Sequence, residues 1–215
     1  MSYRTKVRNK CQLPFFAMFH PSDGFDDLRY NHKNSLGMSL LIFLAFVLLS
    51  VIEQQFTGLQ IKLYDPDEVN IVQTFFSRAA LLVLFTVSNW AFCVLVDGKA
   101  KLLDIWVVTN YSLLPYIFAG YIKVVLSNIL TKDESVFLNF LMILGMLWSL
   151  VMIIIAFMIF HEFEMSKTIL SLIITAIGML LIVFLTFLLY SLYQQVSETL
   201  LTVFNEIMFR AKLSS

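Results

Sequence analysis

Five long apolar stretches alternate with short polar segments along the chain. They cover residues 37–52, 75–96, 102–126, 136–160 and 168–193, and the first continues as a helix to about residue 55. A helix needs about 20 mostly apolar residues to cross a bilayer, and helices satisfy all their backbone hydrogen bonds internally there. The pattern therefore predicts an all-α, polytopic membrane bundle of five transmembrane helices within residues 37–193.

The two ends of the chain have a different, amphipathic pattern. Residues 1–36 are predicted to be a basic tail with a short amphipathic helix at 25–30, which Asp23 and Asp26 cap and which lies on the membrane surface. Residues 194–215 are predicted to form a C-terminal amphipathic helix and not a sixth span. Its apolar positions at helical spacing are Leu200, Leu201, Phe204, Ile207 and Met208. The pattern leaves open whether this helix lies on the membrane or extends the fifth span.

Composition supports a membrane protein, because 59% of the 215 residues are hydrophobic and only 14% are charged. Soluble domains carry about 25% charged residues. The net charge is zero, but Lys and Arg are concentrated in the first 33 residues. A basic start without a later basic stripe favours an anionic membrane surface as partner, and no nucleic acid. Cys11 and Cys93 are interpreted as reduced, and no signal peptide is predicted.

The orientation prediction comes from Lys and Arg near the ends of the spans. With the N-terminus inside, nine of these residues lie on the inner side and six on the outer side. Because positive residues favour the cytoplasmic side, we expect a cytoplasmic N-terminus and an external C-terminus.

Polar residues interrupt the region between the second and third stretches. Asp97, Gly98 and Lys99 form a predicted turn, since Asp-Gly is a strong turn pair. Asp104 is expected in the first turn of the next helix, where the helix dipole favours a carboxylate. These residues are therefore compatible with a solvated loop.

Asn89 and Pro115 lie within the apolar stretches themselves. Asn89 should donate a hydrogen bond to a neighbouring helix, whereas Trp90 should mainly pack. Pro115 removes the backbone bond to Tyr111 and predicts a kink in the third span. Two interpretations remain open: a kinked helix packed inward on a polar seam, or a small hydrated cleft.

Three polar segments converge on the inner side of the predicted topology, at residues 20–29, 96–104 and 161–167. They contribute the candidate residues His20, Pro21, Phe25, His161 and Lys167. The surface they form is either a docking surface or a clamp that fixes the helix ends. We expect no catalytic residue, cofactor or metal, because the histidines lack the spacing of a helical zinc site and no nucleophile constellation occurs.

The segment "DGKAKLLDIWVVTNYSLLPYIF" resembles the central part of Yip-domain membrane proteins, and is more similar to their bacterial branch. "FHPSDGFDDLRYNHKNSLG", "SNW", "LSNILTKDE", "HEFEMSKT" and "NEIMFR" agree with the family in order and place. The last of these contributes Glu206 and Arg210 as candidate residues. The resemblance covers about residues 15–210.

The resemblance implies a five-span bundle with a cytoplasmic N-terminus and no known chemistry. The bacterial relatives are associated with carbohydrate ABC importers and glycoside-degrading enzymes. The first hypothesis is therefore a non-enzymatic accessory or scaffold protein in a bacterial cytoplasmic membrane, bound to a complex such as the permease subunits of an importer. The alternative is a small transporter or channel component that uses the polar seam between helices two and three.

Overall fold

The structure is a computed structural model that describes residues 12–30, 36–57, 70–96, 98–131 and 134–213, with side chains described as far as Phe204. Two short helices come first, α1 (Leu13–Phe19) and α2 (Pro21–Tyr30). The membrane-spanning helices follow: α3 (Leu36–Phe56), α4 (Ile71–Leu95), α5 (Leu102–Ser112) with α6 (Leu114–Ser127), α7 (Ser135–His161) and α8 (Met165–Leu213). The predicted all-α bundle of five spans is confirmed.

Helices α4 and α5 begin where local side chains satisfy free backbone N–H groups. The side chain of Asn70 accepts from the N–H groups of Val72 and Gln73, at 3.1 and 3.2 Å, and starts α4. The side chain of Asp104 accepts from the N–H of Lys101 at 3.1 Å and starts α5. Asp104 thus lies in the first turn of its helix, as predicted.

The bundle has two distinguishable ends. One end carries the C-terminus of α2, the loop 98–101 and the turn 162–164, and is called the clamp end below. The opposite end carries the last residues of α3, the start of α4 and residues 128–131, and is called the far end. The spans alternate in direction between these ends.

The end of α1 and helix α2 together pack along α7. Nε1 of Trp148 donates to the carbonyl oxygen of Met18 at 2.8 Å, and the guanidinium of Arg29 donates to the carbonyl oxygen of Ile159. Eleven residues separate the two α7 positions, which corresponds to about 16 Å of helix. Helix α2 therefore runs beside the second half of a membrane span.

The predicted position of α2 flat on the membrane surface is wrong. Phe25 and Leu28, which were expected to face lipid, are 0% and 3% exposed and belong to the core of the bundle. Gly24 explains the close fit of α2 against α1, since a Cβ there would lie only 2.5 Å from Cα of Ala17. The apolar face of α2 is buried by protein and not by lipid.

The third span is divided at Leu113, which confirms the interruption predicted from Pro115. A regular helix would direct the N–H of Tyr116 to the carbonyl of Ser112. Instead this N–H donates to Oγ of Ser149 in α7, at 3.1 Å. Gly145 lies one turn away from Ser149 on the same face of α7, so α7 packs directly on the divided part of the span.

Helix α8 continues from Met165 to Leu213 without a break. Of the two alternatives that the sequence left open, the structure therefore has the second: residues 194–213 extend the helix of the fifth span. The physical reason is local, because residues 179–213 contain neither Gly nor Pro and nothing in this stretch stops a helix.

Candidate functional site at the clamp end

Glu162 joins the three polar segments that the sequence placed on one side. One carboxylate oxygen accepts from the guanidinium of Arg29 in α2 at 2.5 Å, and the other accepts from Nζ of Lys99 in the loop after α4. The segments therefore do meet at one end of the bundle, and a single carboxylate holds two of them to the turn between α7 and α8. This trio of residues is called the Glu162 clamp below.

The backbone of Glu162 is left-handed, with φ 57° and ψ 37°, and ends α7. Among the described residues it is the one non-glycine residue with positive φ. Gly or Asn is the usual residue at such a position, since a Cβ there is unfavourable. A glutamate at this position makes two cation contacts that a glycine could not make.

The electrostatic state of the clamp follows from its two cations. Hydrogen bonds from Lys99 and then Arg29 hold the pKa of the Glu162 carboxyl below its ordinary value of 4.5. A lowered folded-state pKa means that the ionised clamp stabilises the fold above pH 4.5 and that this contribution disappears as the pH falls through the folded-state value.

Replacing Glu162 by glutamine should lower the thermal unfolding midpoint at pH 7 by a few degrees, because the neutral amide cannot pair with both cations. The difference from wild type should decrease below pH 4.5 and vanish once Glu162 is protonated. Thermal unfolding of the purified protein in detergent, followed from pH 7 to pH 3, measures both effects.

The control is Glu164→Gln, which removes another exposed carboxylate two residues further on. That variant should match wild type at every pH. A Glu162→Gln protein with the wild-type midpoint at pH 7, or with a difference that persists at pH 3, would show that the clamp does not stabilise the fold.

Cys93 and His161 form a buried pair beneath the loop of the clamp. Sγ of Cys93 lies 3.3 Å from Nε2 of His161, and both side chains are 1% exposed. Gly98 covers them, because a Cβ there would lie 2.9 Å from Cβ of Cys93 and 3.2 Å from Nδ1 of His161. In the part of the chain that the structure describes, no three His, Cys, Asp or Glu residues are grouped to hold a metal ion.

Two residues of the polar seam predicted between helices two and three, Asn89 and Pro115, contact other helices. Asn89 is completely buried and its Nδ2 donates to Oγ1 of Thr175 in α8, at 2.9 Å. Pro115 lies against α7, where a Cβ on Gly145 would approach its carbonyl oxygen to 3.1 Å. The two residues thus face different helices, Asn89 towards α8 and Pro115 towards α7.

The remaining candidates in the first helices have separate structural roles. His20 is exposed, links α1 to α2 and stacks on Phe16 with ring centroids 4.9 Å apart. Pro21 is the first residue of α2, where a missing N–H is tolerated. Asp23 lies in the first turn of α2 and is exposed.

The other candidates do not belong to the clamp. Tyr111 is completely buried in the core, Trp90 is 39% exposed, and Lys167 is exposed near the start of α8. Asp97 and the side chains of Glu206 and Arg210 lie outside the described residues.

Sequence reasoning missed the residues that connect the helices. It did not select Arg29, Glu162, Ser149 or Thr175. Small residues four apart were the available signal, because Gly145 with Ser149 and Ser171 with Thr175 have the spacing that allows close helix contact in membranes. No comparable signal points to the ionic contacts of Glu162, since their partners are 63 and 133 residues away.

The five apolar helices and their closely packed core define a polytopic helical membrane protein. The model of the Yip1 domain matches residues 15–192. The chain therefore belongs to the Yip1 domain family, which is a family of membrane proteins not known as enzymes. No curated protein and no solved structure matches the chain.

Proposed function

We propose that this Yip1-family chain is a non-enzymatic accessory or scaffold subunit that binds another complex in a bacterial cytoplasmic membrane. Permease subunits of a carbohydrate ABC importer are the partner class that the sequence resemblance suggests. The positive residues near the span ends favour a clamp end on the cytoplasmic side, with the C-terminus outside. The observation that carries the proposal is the acidic outer face of α2.

This face occupies a position that lipid would otherwise take. The exposed large apolar residues of α7 run from Val136 to Val151, and none is found between there and His161. Helix α2 lies beside that second half of α7, yet its outward residues include the exposed carboxylates of Asp23 and Asp26. Carboxylates that face hydrocarbon are costly, so this face favours water or a polar partner over lipid.

The charge around Asp26 specifies the chemistry of the partner. Partial burial raises the pKa of the Asp26 carboxyl, the neighbouring Asp23 raises it further, and Arg29 opposes both. Arg29 is already engaged with Glu162, so little positive charge remains for the pair. A partner helix with a Lys or Arg at this depth would supply it.

Affinity purification of the full chain in mild detergent tests the proposal. Wild type should recover importer permease subunits, and the double variant Asp23→Asn, Asp26→Asn should recover them at least fivefold less. The unfolding midpoint of that variant should stay at the wild-type value, because both side chains are exposed.

Glu164→Gln is the matched control, since it removes a carboxylate at the same end of the bundle without touching α2. It should recover the permease as wild type does. Recovery of the wild-type chain without any permease overturns the importer as partner. Equal recovery by the Asp23, Asp26 variant overturns α2 as the binding face.

A further inference from the structure

Helix α8 is far longer than a membrane span requires. Its 49 residues correspond to about 74 Å, whereas about 20 residues cross the hydrocarbon. The first turns are covered by the bundle, where Thr168, Ser171 and Thr175 are completely buried. From residue 179 to residue 204 no side chain is buried. Most of α8 therefore has no partner within the described part of the chain.

The face of α8 that is buried at its start continues along the helix with a seven-residue repeat. One row of this face, in positions d, consists of Thr168, Thr175, Ile182, Leu189, Val196 and Val203. The second row, in positions a, consists of Leu172, Met179, Thr186, Tyr193 and Leu200. Both rows together are called the α8 seam below. In the exposed part of α8 the repeat is distinct, because Tyr193, Val196, Leu200 and Val203 are apolar and most positions between them are polar, which is typical of helices that pair along their length.

The last part of the seam lies beyond the rest of the bundle. A Cβ on Gly178 would lie 2.4 Å from Oγ of Ser88, so these two residues are level on the antiparallel helices α8 and α4. The first residue of α4, Ile71, is then level with about residue 195 of α8. The residues from there to Leu213 extend about 27 Å further.

Lipid is a poor occupant for this extension. The helix continues without a break and so leads away from the spans, and it has no Lys or Arg between Lys167 and Arg210. An amphipathic helix on an anionic membrane surface is usually rich in basic residues. Leu200 and Phe204 are nevertheless 65% and 61% exposed, which calls for an apolar partner.

We infer that the exposed part of the α8 seam, from Leu189 to Val203, binds the same part of a second copy of this chain, in parallel. Two copies related by rotation about an axis along the bundle place equal seam positions opposite each other. The apolar side chains of one copy then pack against the same side chains of the other. Between residues 189 and 204 the one charged residue is Glu198, which lies opposite the seam, so pairing over this range brings no like charges together. The next position d is Arg210, which ends the apolar repeat. Leu in position a with Val in position d resembles the arrangement that favours more than two strands.

The same substitution, leucine to glutamate, at two neighbouring positions tests the inference. Leu200 lies on the seam and its neighbour Leu201 lies beside it, with exposures of 65% and 60%. In nanodiscs, the wild-type chain should have the mass of two or more copies. Leu200→Glu should reduce it to one copy, whereas Leu201→Glu should leave it unchanged, with equal helical content in both variants.

Disulfide crosslinking locates the contact. In a Cys11→Ser background the remaining Cys93 is buried and does not crosslink. Val196→Cys and Val203→Cys should form interchain disulfides on oxidation at least fivefold more efficiently than Glu198→Cys or Thr202→Cys. A wild-type mass of one copy, equal effects of the two glutamates, or crosslinking without this periodicity overturns the inference. The test requires no second protein, so its result is independent of the partner proposed above.

Discussion

Gly145→Ala should lower the free energy of unfolding by about 1–3 kcal/mol, the usual cost of an extra methyl group in a tightly packed interior. The added Cβ would lie 2.6 Å from Cβ of Ala119 and 3.1 Å from the carbonyl oxygen of Pro115. Neither atom is the end of a flexible side chain, so α7 must move away from the divided span. That movement also weakens the hydrogen bond from Tyr116 to Ser149.

Gly37→Ala is the matched control for this substitution. A Cβ at Gly37 meets no atom within 4 Å, and alanine is the better helix former by about 1 kcal/mol. The control should be as stable as wild type or slightly more stable. Unfolding by SDS in mixed micelles measures both variants. A Gly145→Ala protein as stable as wild type would show that α7 does not need this close approach.

Asn89→Leu should lower the free energy of unfolding by about 1–2 kcal/mol, because it removes two buried hydrogen bonds at constant volume. Nδ2 of Asn89 donates to Thr175, and its Oδ1 lies 3.6 Å from Sγ of Cys93. The loss stays moderate because Thr175 still donates to the carbonyl oxygen of Ser171 at 2.7 Å and Cys93 keeps His161.

A double-mutant cycle with Thr175→Val isolates the contact between α4 and α8. We expect the double variant to be more stable than the sum of the two single effects predicts. Trp90→Leu, on the next residue, changes a 39% exposed side chain and should have little effect. Additive effects of the two single substitutions would contradict a direct bond between Asn89 and Thr175.

The spans were predictable because each is encoded in its own stretch of sequence. Length and apolarity define a membrane helix without reference to its neighbours, and Pro115 removes a backbone donor wherever the helix lies. The choice of neighbours is different, since lipid and protein offer similar surroundings to an apolar side chain. Nothing in the sequence near Asn89 indicates that α8, 86 residues later, supplies its partner.

The wrong prediction for α2 and the question left open for α8 have the same physical origin. The alternation of apolar and polar residues in α2 indicates a helix with one buried face, but it does not distinguish lipid from α7 as the cover for Phe25 and Leu28. For α8, the change in composition at residue 193 did not decide whether the helix ends there or continues. Only a residue that stops a helix marks its end, and none occurs there.

The division of the third span at Leu113 also has a mechanical consequence. The backbone N–H of Tyr116 donates to the hydroxyl of Ser149 in α7 and not to the carbonyl of Ser112. One helical hydrogen bond is therefore missing in the middle of the span, and α6 is hydrogen-bonded to α7 instead. Helix α5 is anchored separately at the other end of the span, where Asp104 caps its first turn. The change of direction in this span is thus held on both sides, since the N–H of Leu113 donates to the carbonyl oxygens of Thr109 and Asn110 while Ser149 holds the start of α6 to α7.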